Sequence, residues 1–237
     1  MEEQMYYYSF DWTYILVILG LIITFFAQIK MNSTYNRYKD DLAQCGMTGA
    51  EAARKILAAG GVYGVTVQPV QGNLTDNYDP RNKTLNLSVD TFAKTTVEAI
   101  CVAAHECGHA IQDSTEYLPL RLRGVLVPVA NFGSRAAWIF IILGVMIAGT
   151  GSPLVEIGIV LFSLAVVLEL LTLPVEFNAS NRAMAELDRM GILTAEEQGK
   201  ARKVLNAAAL TYVAAAASGL LQLLRILLLF GNRRDRR

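Results

Sequence analysis

Apolar residues in this chain gather into long runs with few charges, separated by mixed segments that carry most of the charge. The first run covers 12–27 and includes YILVILGLIITFFA. At ~1.5 Å of rise per residue it is just long enough to cross a ~30 Å hydrocarbon core. Acidic residues precede it (Glu2, Glu3, Asp11), with no basic leader region and no small-residue cleavage site after it. It therefore reads as a retained anchor rather than a signal peptide. Lys30, Arg37 and Lys39 follow, so the positive-inside rule puts the N-terminus outside and the next segment in the cytoplasm.

Two more runs, 136–148 and 154–173, flank the uncharged turn Gly149-Thr150-Gly151-Ser152-Pro153. They predict a membrane hairpin with a short external tip, its first arm brief for a full span. A last run, 207–230, contains Arg225 and precedes Arg233, Arg234, Arg236 and Arg237. Three spans leave 174–206 inside, and a fourth would carry four arginines outside. The last run is thus open between crossing, bending back, lying at the interface and packing on the other helices. Arg225 favours protein or headgroup contact over lipid.

Between the anchor and the hairpin the pattern is that of a water-facing α+β unit, 31–115. Thr48-Gly49-Ala50-Glu51 is a capping box that opens a helix to about Ala59, and Gly60-Gly61 ends it. Residues 62–70 alternate enough for a strand, Asp79-Pro80 signals a turn, and Thr84–Ser88 is a second alternating strand. A helix follows over about 90–112. The expected order is an anchor (1–30), the α+β unit (31–115), a connector (116–135), the hairpin (136–173), a polar helix opening at Pro174 (174–206), and an apolar helix with a basic tail (207–237). The polar helix carries a second capping box at Thr194-Ala195-Glu196-Glu197. The fold class is a mainly α integral membrane protein with three to four apolar membrane helices.

Composition agrees: 53% of residues are hydrophobic and the mean hydropathy is +0.35, an excess concentrated in the runs. Lys+Arg and Asp+Glu are both 21, so the charge balance points to no nucleic-acid partner. The terminal arginines read as membrane-surface anchors. Cys45, Cys101 and Cys107 form no even-numbered framework and read as free thiols, with Cys107 in a packing role. Only two histidines occur, His105 and His109, which concentrates the candidate chemistry in one place.

Both lie in Ala104-His105-Glu106-Cys107-Gly108-His109, an H-E-x-x-H motif. On a helix, positions i and i+4 share a face, so both imidazoles can reach one ion. Glu106 stands where its carboxylate can take a proton from a water on that ion, whose pKa zinc lowers towards ~7. The stretch VEAICVAAHECGHAIQ has strong helix-forming composition, as the geometry requires.

A catalytic zinc has three protein ligands plus water, and no third histidine exists. Cys101 and Asp113 share the motif's helical stripe but sit one turn further along it. Bonds of ~2 Å cannot join three successive turns of a straight helix to one ion. Glu98 and Glu116 are farther, and Glu156 and Glu169 lie within the third apolar run. Glu176 fits best: it follows that run, and the hairpin returns it to the membrane face that holds His105. A carboxylate near a helix N-terminus is the plainer reading of the same residue.

The order of strand, H-E-x-x-H helix, two apolar spans and then E-F-x-A-S-x-R-A resembles the YugP-like membrane zinc metallopeptidases. D-P-R-N-K-T-L-N-L-S through A-A-H-E-C-G-H-A-I-Q carries the likeness most closely, and it covers nearly the whole chain. More distantly the chain is similar to the heat-shock-type membrane endopeptidases and the CAAX prenyl proteases. Those families use the glutamate of E-x-x-x-D as third zinc ligand, which falls on Glu176. Ser180 stands where they have aspartate, so any orienting role towards a histidine would be that of a weaker, neutral partner. The resemblance implies a small gluzincin-like α+β unit, one Zn2+ per chain and peptide hydrolysis, and it supplies no substrate.

An oxyanion donor is required by such chemistry, and Tyr212, Arg182, Asn178 and Asn181 are all open for it. Arg182 is equally suited to pairing with Glu186 at i+4. Thr84–Ser88 could be the edge to which a substrate adds as a strand, or an ordinary structural strand. The expected function is a multi-pass membrane zinc endopeptidase with its site on the cytoplasmic side, acting on proteins or peptides, membrane proteins among them. A zinc-bearing scaffold that binds without cutting is the rival, with Glu106 and the absence of a fourth ligand against it. Hydrolysis of another substrate, such as a lipid-linked amide, also suits the residues. A transporter has less behind it, because no inverted repeat is visible.

Overall fold

Capping residues and apolar faces place the elements of the computed structural model, which describes residues 11–231. In order they are α1 (Tyr14–Tyr38), α2 (Gly49–Ala59), β1 (Thr66–Val70), β2 (Asn77–Asp79), β3 (Thr84–Ser88), α3 (Val89–Ala93), α4 (Val97–Ser114), α5 (Leu118–Ala148), α6 (Pro153–Arg189) and α7 (Ala195–Phe230). Both capping boxes form: Thr48 and Glu51 close the start of α2, and Thr194 and Glu197 that of α7. The helix expected over 90–112 is broken between Ala93 and Val97. Thr96 starts it afresh, its side chain accepting from the N–H of Ala99. The terminal acidic and arginine residues (Glu2, Glu3 and Arg233 onward) lie outside the described residues.

Four helices, α1, α5, α6 and α7, are long and apolar enough to cross a membrane. All four outrun the apolar runs that announce them, α5, α6 and α7 the most. α5 has 31 residues, α6 has 37 and α7 has 36, lengths of ~46–55 Å against a hydrocarbon core of ~30 Å. Surplus turns of α6 and α7 pack into the core of the α+β unit through Leu187, Val204 and Leu205. The stretch expected as a connector, 116–135, is largely the first half of α5. Pro174 does not open a helix but lies inside α6. A proline removes one helix hydrogen bond, and the turn beyond it is held by burial of Val175, Glu176 and Ala179.

α5 packs on α6, α6 on α7, and α7 on α1, so the four form a row. α7 is a single helix running antiparallel beside α1, which answers whether the last run bends back. Arg225, near its end, reaches Thr13 at 3.3 Å and Asp11 at 3.6 Å and stacks over Tyr14, at the start of α1. At the other end, Lys30 and Arg37 of α1 share a surface depression with Lys203 and Asn206 of α7. The arginine of the last apolar run thus meets protein groups, the contact its cost in lipid favours.

The water-facing unit is centred on α4, buried on nearly every side. Its apolar neighbours come from α2 (Ile56, Leu57), β3 (Leu85, Leu87), α6 (Leu187) and α7 (Val204, Leu205). The sheet order is β1-β3-β2, with β3 parallel to β1 and antiparallel to β2. Leu85 and Leu87 face the core, while Gln68, Asn86 and Asn77 form a hydrogen-bonded ladder on the outer face at 2.8 and 3.0 Å. Thr84–Ser88 is consequently the central strand, paired on both sides, and is no free edge. The outer strand beside α4 is β2, which the alternation pattern left as a turn because it is only three residues long.

Candidate metal centre

The helical register of α4 brings His105 and His109 together on one face, their rings 4.8 Å apart and edge to face. α6 crosses that face and lays the buried Glu176 against them. Glu176 Oε2 lies 3.2 Å from His105 Nε2 and 3.5 Å from His109 Nε2. Two donors each ~2.0–2.1 Å from one ion at a tetrahedral angle stand about 3.3 Å apart, so these separations suit a shared cation. Two imidazoles and a carboxylate are also a donor set that zinc accepts. Among the described residues this is the one group of three or more His, Cys, Asp or Glu side chains placed to hold a metal.

The crossing depends on Gly108. A methyl group there would run into the backbone carbonyl of Ala179 on α6, so only glycine lets the two helices approach this closely. Gly108→Ala is expected to push α6 away and cost about 1–3 kcal/mol through overpacking. Thermal unfolding in detergent would read this as a lowered Tm. An unchanged Tm would mean that the contact is not as tight as described.

Each imidazole is held from behind. His109 Nδ1 donates to Gln112 Oε1 at 3.0 Å, and that amide is oriented because its Nε2 donates to Val175 O (2.8 Å) and Asn178 Oδ1 (3.0 Å). A proton fixed on Nδ1 leaves the Nε2 lone pair facing Glu176. Ser180 Oγ meets His105 Nδ1 at 3.1 Å. The second oxygen of Glu176, Oε1, accepts from Arg123 Nη1 of α5 at 2.8 Å. Burial opposes protonation of His109, but its bond to Glu176 and the charges of Glu106 and Glu176 outweigh this and raise its pKa. Glu106 sits beside the donors, mostly buried, and lines both cavities that meet here.

The family described as "Putative neutral zinc metallopeptidase" matches residues 13–231. The chain belongs to this zinc metallopeptidase family. It is 46% identical over 220 residues to "Putative membrane protease YugP" of Bacillus subtilis (strain 168), covering 93% of this chain and 97% of that relative. No solved structure matches it significantly.

Within this member of the family, the alternatives to Glu176 stand apart from the two imidazoles. The Cys101 thiol donates to Ala201 O, and burial pushes its pKa up. Asp113 accepts from Tyr78 and pairs with Lys83. Cys107, also buried and raised by burial, packs against Ala53 O. Glu169 lies two turns before Glu176 on α6, against Gly219 of α7, and its Oε2 has no partner among the described residues. Of the residues open for a supporting role, Tyr212 lines both cavities close to Glu176 and Arg123. Asn178 and Arg182 stand a layer back: Arg182 donates to Asn178 at 2.8 Å, and Glu186 is taken by Arg189. Asn181 is exposed and lines neither cavity. Arg123 and Gln112 were missed from sequence. Gln112 had a readable signal, lying one turn after His109 on the same helix; Arg123, on a helix expected as a connector, had none.

Proposed function

We propose that this protein is a multi-pass membrane zinc endopeptidase in which His105, His109 and Glu176 hold one Zn2+ and Glu106 is the general base. The observation that carries the reading is the convergence of three donor atoms within 4.8 Å of one another, with a fourth side chain, Glu106, lining the same cavities. A structural zinc closed by four ligands has no need of that carboxylate. Bound zinc would supply Lewis-acid activation of water and of the peptide carbonyl. Glu106 takes the proton from the attacking water and returns it to the leaving amine. Ser180 and Gln112 hold the imidazoles in their ligating orientation, and Tyr212 is the side chain best placed to donate to the developing oxyanion. An extended peptide would have β2, the outer strand lining the larger cavity, to pair with.

Charge supports a cytoplasmic side for the site. The site stands at the end of the row where α1 and α7 carry Lys30, Arg37, Lys39, Lys200, Arg202 and Lys203, and cation-rich flanks favour the cytoplasm. The reading predicts that detergent-purified protein cleaves an unfolded protein substrate, loses that activity to a zinc chelator and regains it with added Zn2+. Cleavage indifferent to chelation, or none by zinc-loaded protein, would sink it.

A further inference from the structure

The metal centre opens into a second cavity that the hydrolytic chemistry does not use. It has a volume of about 170 Å³ and lies between α1, α4 and α7. Met31 and Tyr35 of α1, Leu74 of the loop before β2, Val102 of α4, and Leu205 and Ala208 of α7 form its walls. Apart from two tyrosines, Asp76 and the metal-centre residues themselves, the lining is apolar. Asp76 accepts from the N–H of Ser88 through Oδ1 at 2.8 Å, and its Oδ2 is buried without a partner among the described residues.

Resting on the peptidase reading, we propose that this cavity is the specificity pocket for the side chain beside the scissile bond, and that it selects leucine-, methionine- or phenylalanine-sized apolar residues. Size supports the assignment, since an apolar cavity of ~150 Å³ already accepts a benzene ring. Chemistry supports it too, because Met31, Leu74, Val102, Val204, Leu205, Ala208 and Ala209 make most of the wall apolar, and a polar side chain laid against them would lose hydration. Leu74 adds a third observation. It is a non-glycine residue held at φ 55°, a left-handed conformation that persists where the surroundings demand it, and it places an apolar side chain at the pocket. The membrane anchor α1 is then part of the substrate site, since it supplies one wall.

The test is digestion of a proteome-derived peptide library by zinc-loaded, detergent-purified protein, with cleavage sites read by mass spectrometry. One fixed position next to the cleaved bond should be dominated by large apolar residues. A leucine peptide should exceed its alanine analogue in kcat/KM by roughly tenfold or more. Ala208→Phe, which fills the pocket, should lower that leucine-to-alanine ratio by about the same factor. Met31→Ala, which enlarges it from the α1 side, should shift the preference towards larger aromatic residues. Zinc content of both variants reports whether the centre is intact. A wild-type profile led by lysine or arginine, or without preference, would overturn the assignment, as would an unchanged ratio in both zinc-loaded variants. No cleavage of any peptide by zinc-loaded wild type would remove the peptidase reading itself, and the pocket with it.

Discussion

Glu106→Gln is expected to lower kcat/KM for peptide cleavage by about 10²–10⁴-fold, the range that a positioned general base contributes, while zinc stays near one per chain. That loss corresponds to about 3–5 kcal/mol of transition-state stabilisation. Glutamine keeps the shape of the side chain but has no basic oxygen, so the water is no longer deprotonated as it attacks. Zinc should persist because Glu106 is outside the group of donor atoms, which comprises His105, His109 and Glu176. Glu106 is also mostly buried and lines both cavities, so bulk water is a poor substitute for it. The two readouts must be taken together. Cleavage undiminished in the variant would reject Glu106 as the base, and loss of zinc along with cleavage would mean that it serves the metal instead.

The second large effect is expected from Glu176→Ala. The variant keeps two imidazoles and loses the carboxylate that bridges them at 3.2 and 3.5 Å. Metal content by elemental mass spectrometry should fall from about one zinc per chain to a small fraction of that. The loss has two causes. A ligand bond disappears, and the guanidinium of Arg123, which donates to Glu176 Oε1 at 2.8 Å, is left as an uncompensated cation close to the site. Arg123→Met separates them, because it retains the ligand and removes only the group that orients it. Outer partners of this kind are typically worth 10–100-fold in metal affinity, so a chelator competition should place Arg123→Met between wild type and Glu176→Ala. Full zinc in Glu176→Ala would move the third ligand elsewhere, and wild-type affinity in Arg123→Met would reduce the arginine to a surface charge.

Some of this protein was decided locally and is therefore readable along the chain. The spans announce themselves because lipid tolerates little charge over some twenty residues. The capping boxes at Thr48 and Thr194 close through bonds only three residues apart. His105, Glu106 and His109 share one short stretch of helix, so the i, i+4 geometry that joins them is a property of the backbone itself. Glu176 needed the added argument that a hairpin returns the chain to the same side.

Tertiary structure decided what depends on distant segments meeting. β3 is a central strand and not an edge, since its neighbours are chosen by burial of Leu85 and Leu87 rather than by its own alternation. Pro174 is carried inside a helix by the packing of Val175, Glu176 and Ala179, which overrides the local preference for a helix start. α7 extends past its apolar run because Ala201, Val204 and Leu205 of its first turns are buried in the core of the α+β unit, a reward that no window of sequence contains. Arg123 reaches Glu176 across 53 residues, and the glycine of the motif matters only because α6 crosses there. Hydropathy, capping and helical periodicity are short-range and survive in one dimension. The metal-centre support, the sheet order and the apolar pocket arise from close packing between elements far apart in the chain, and exist only once the chain has folded.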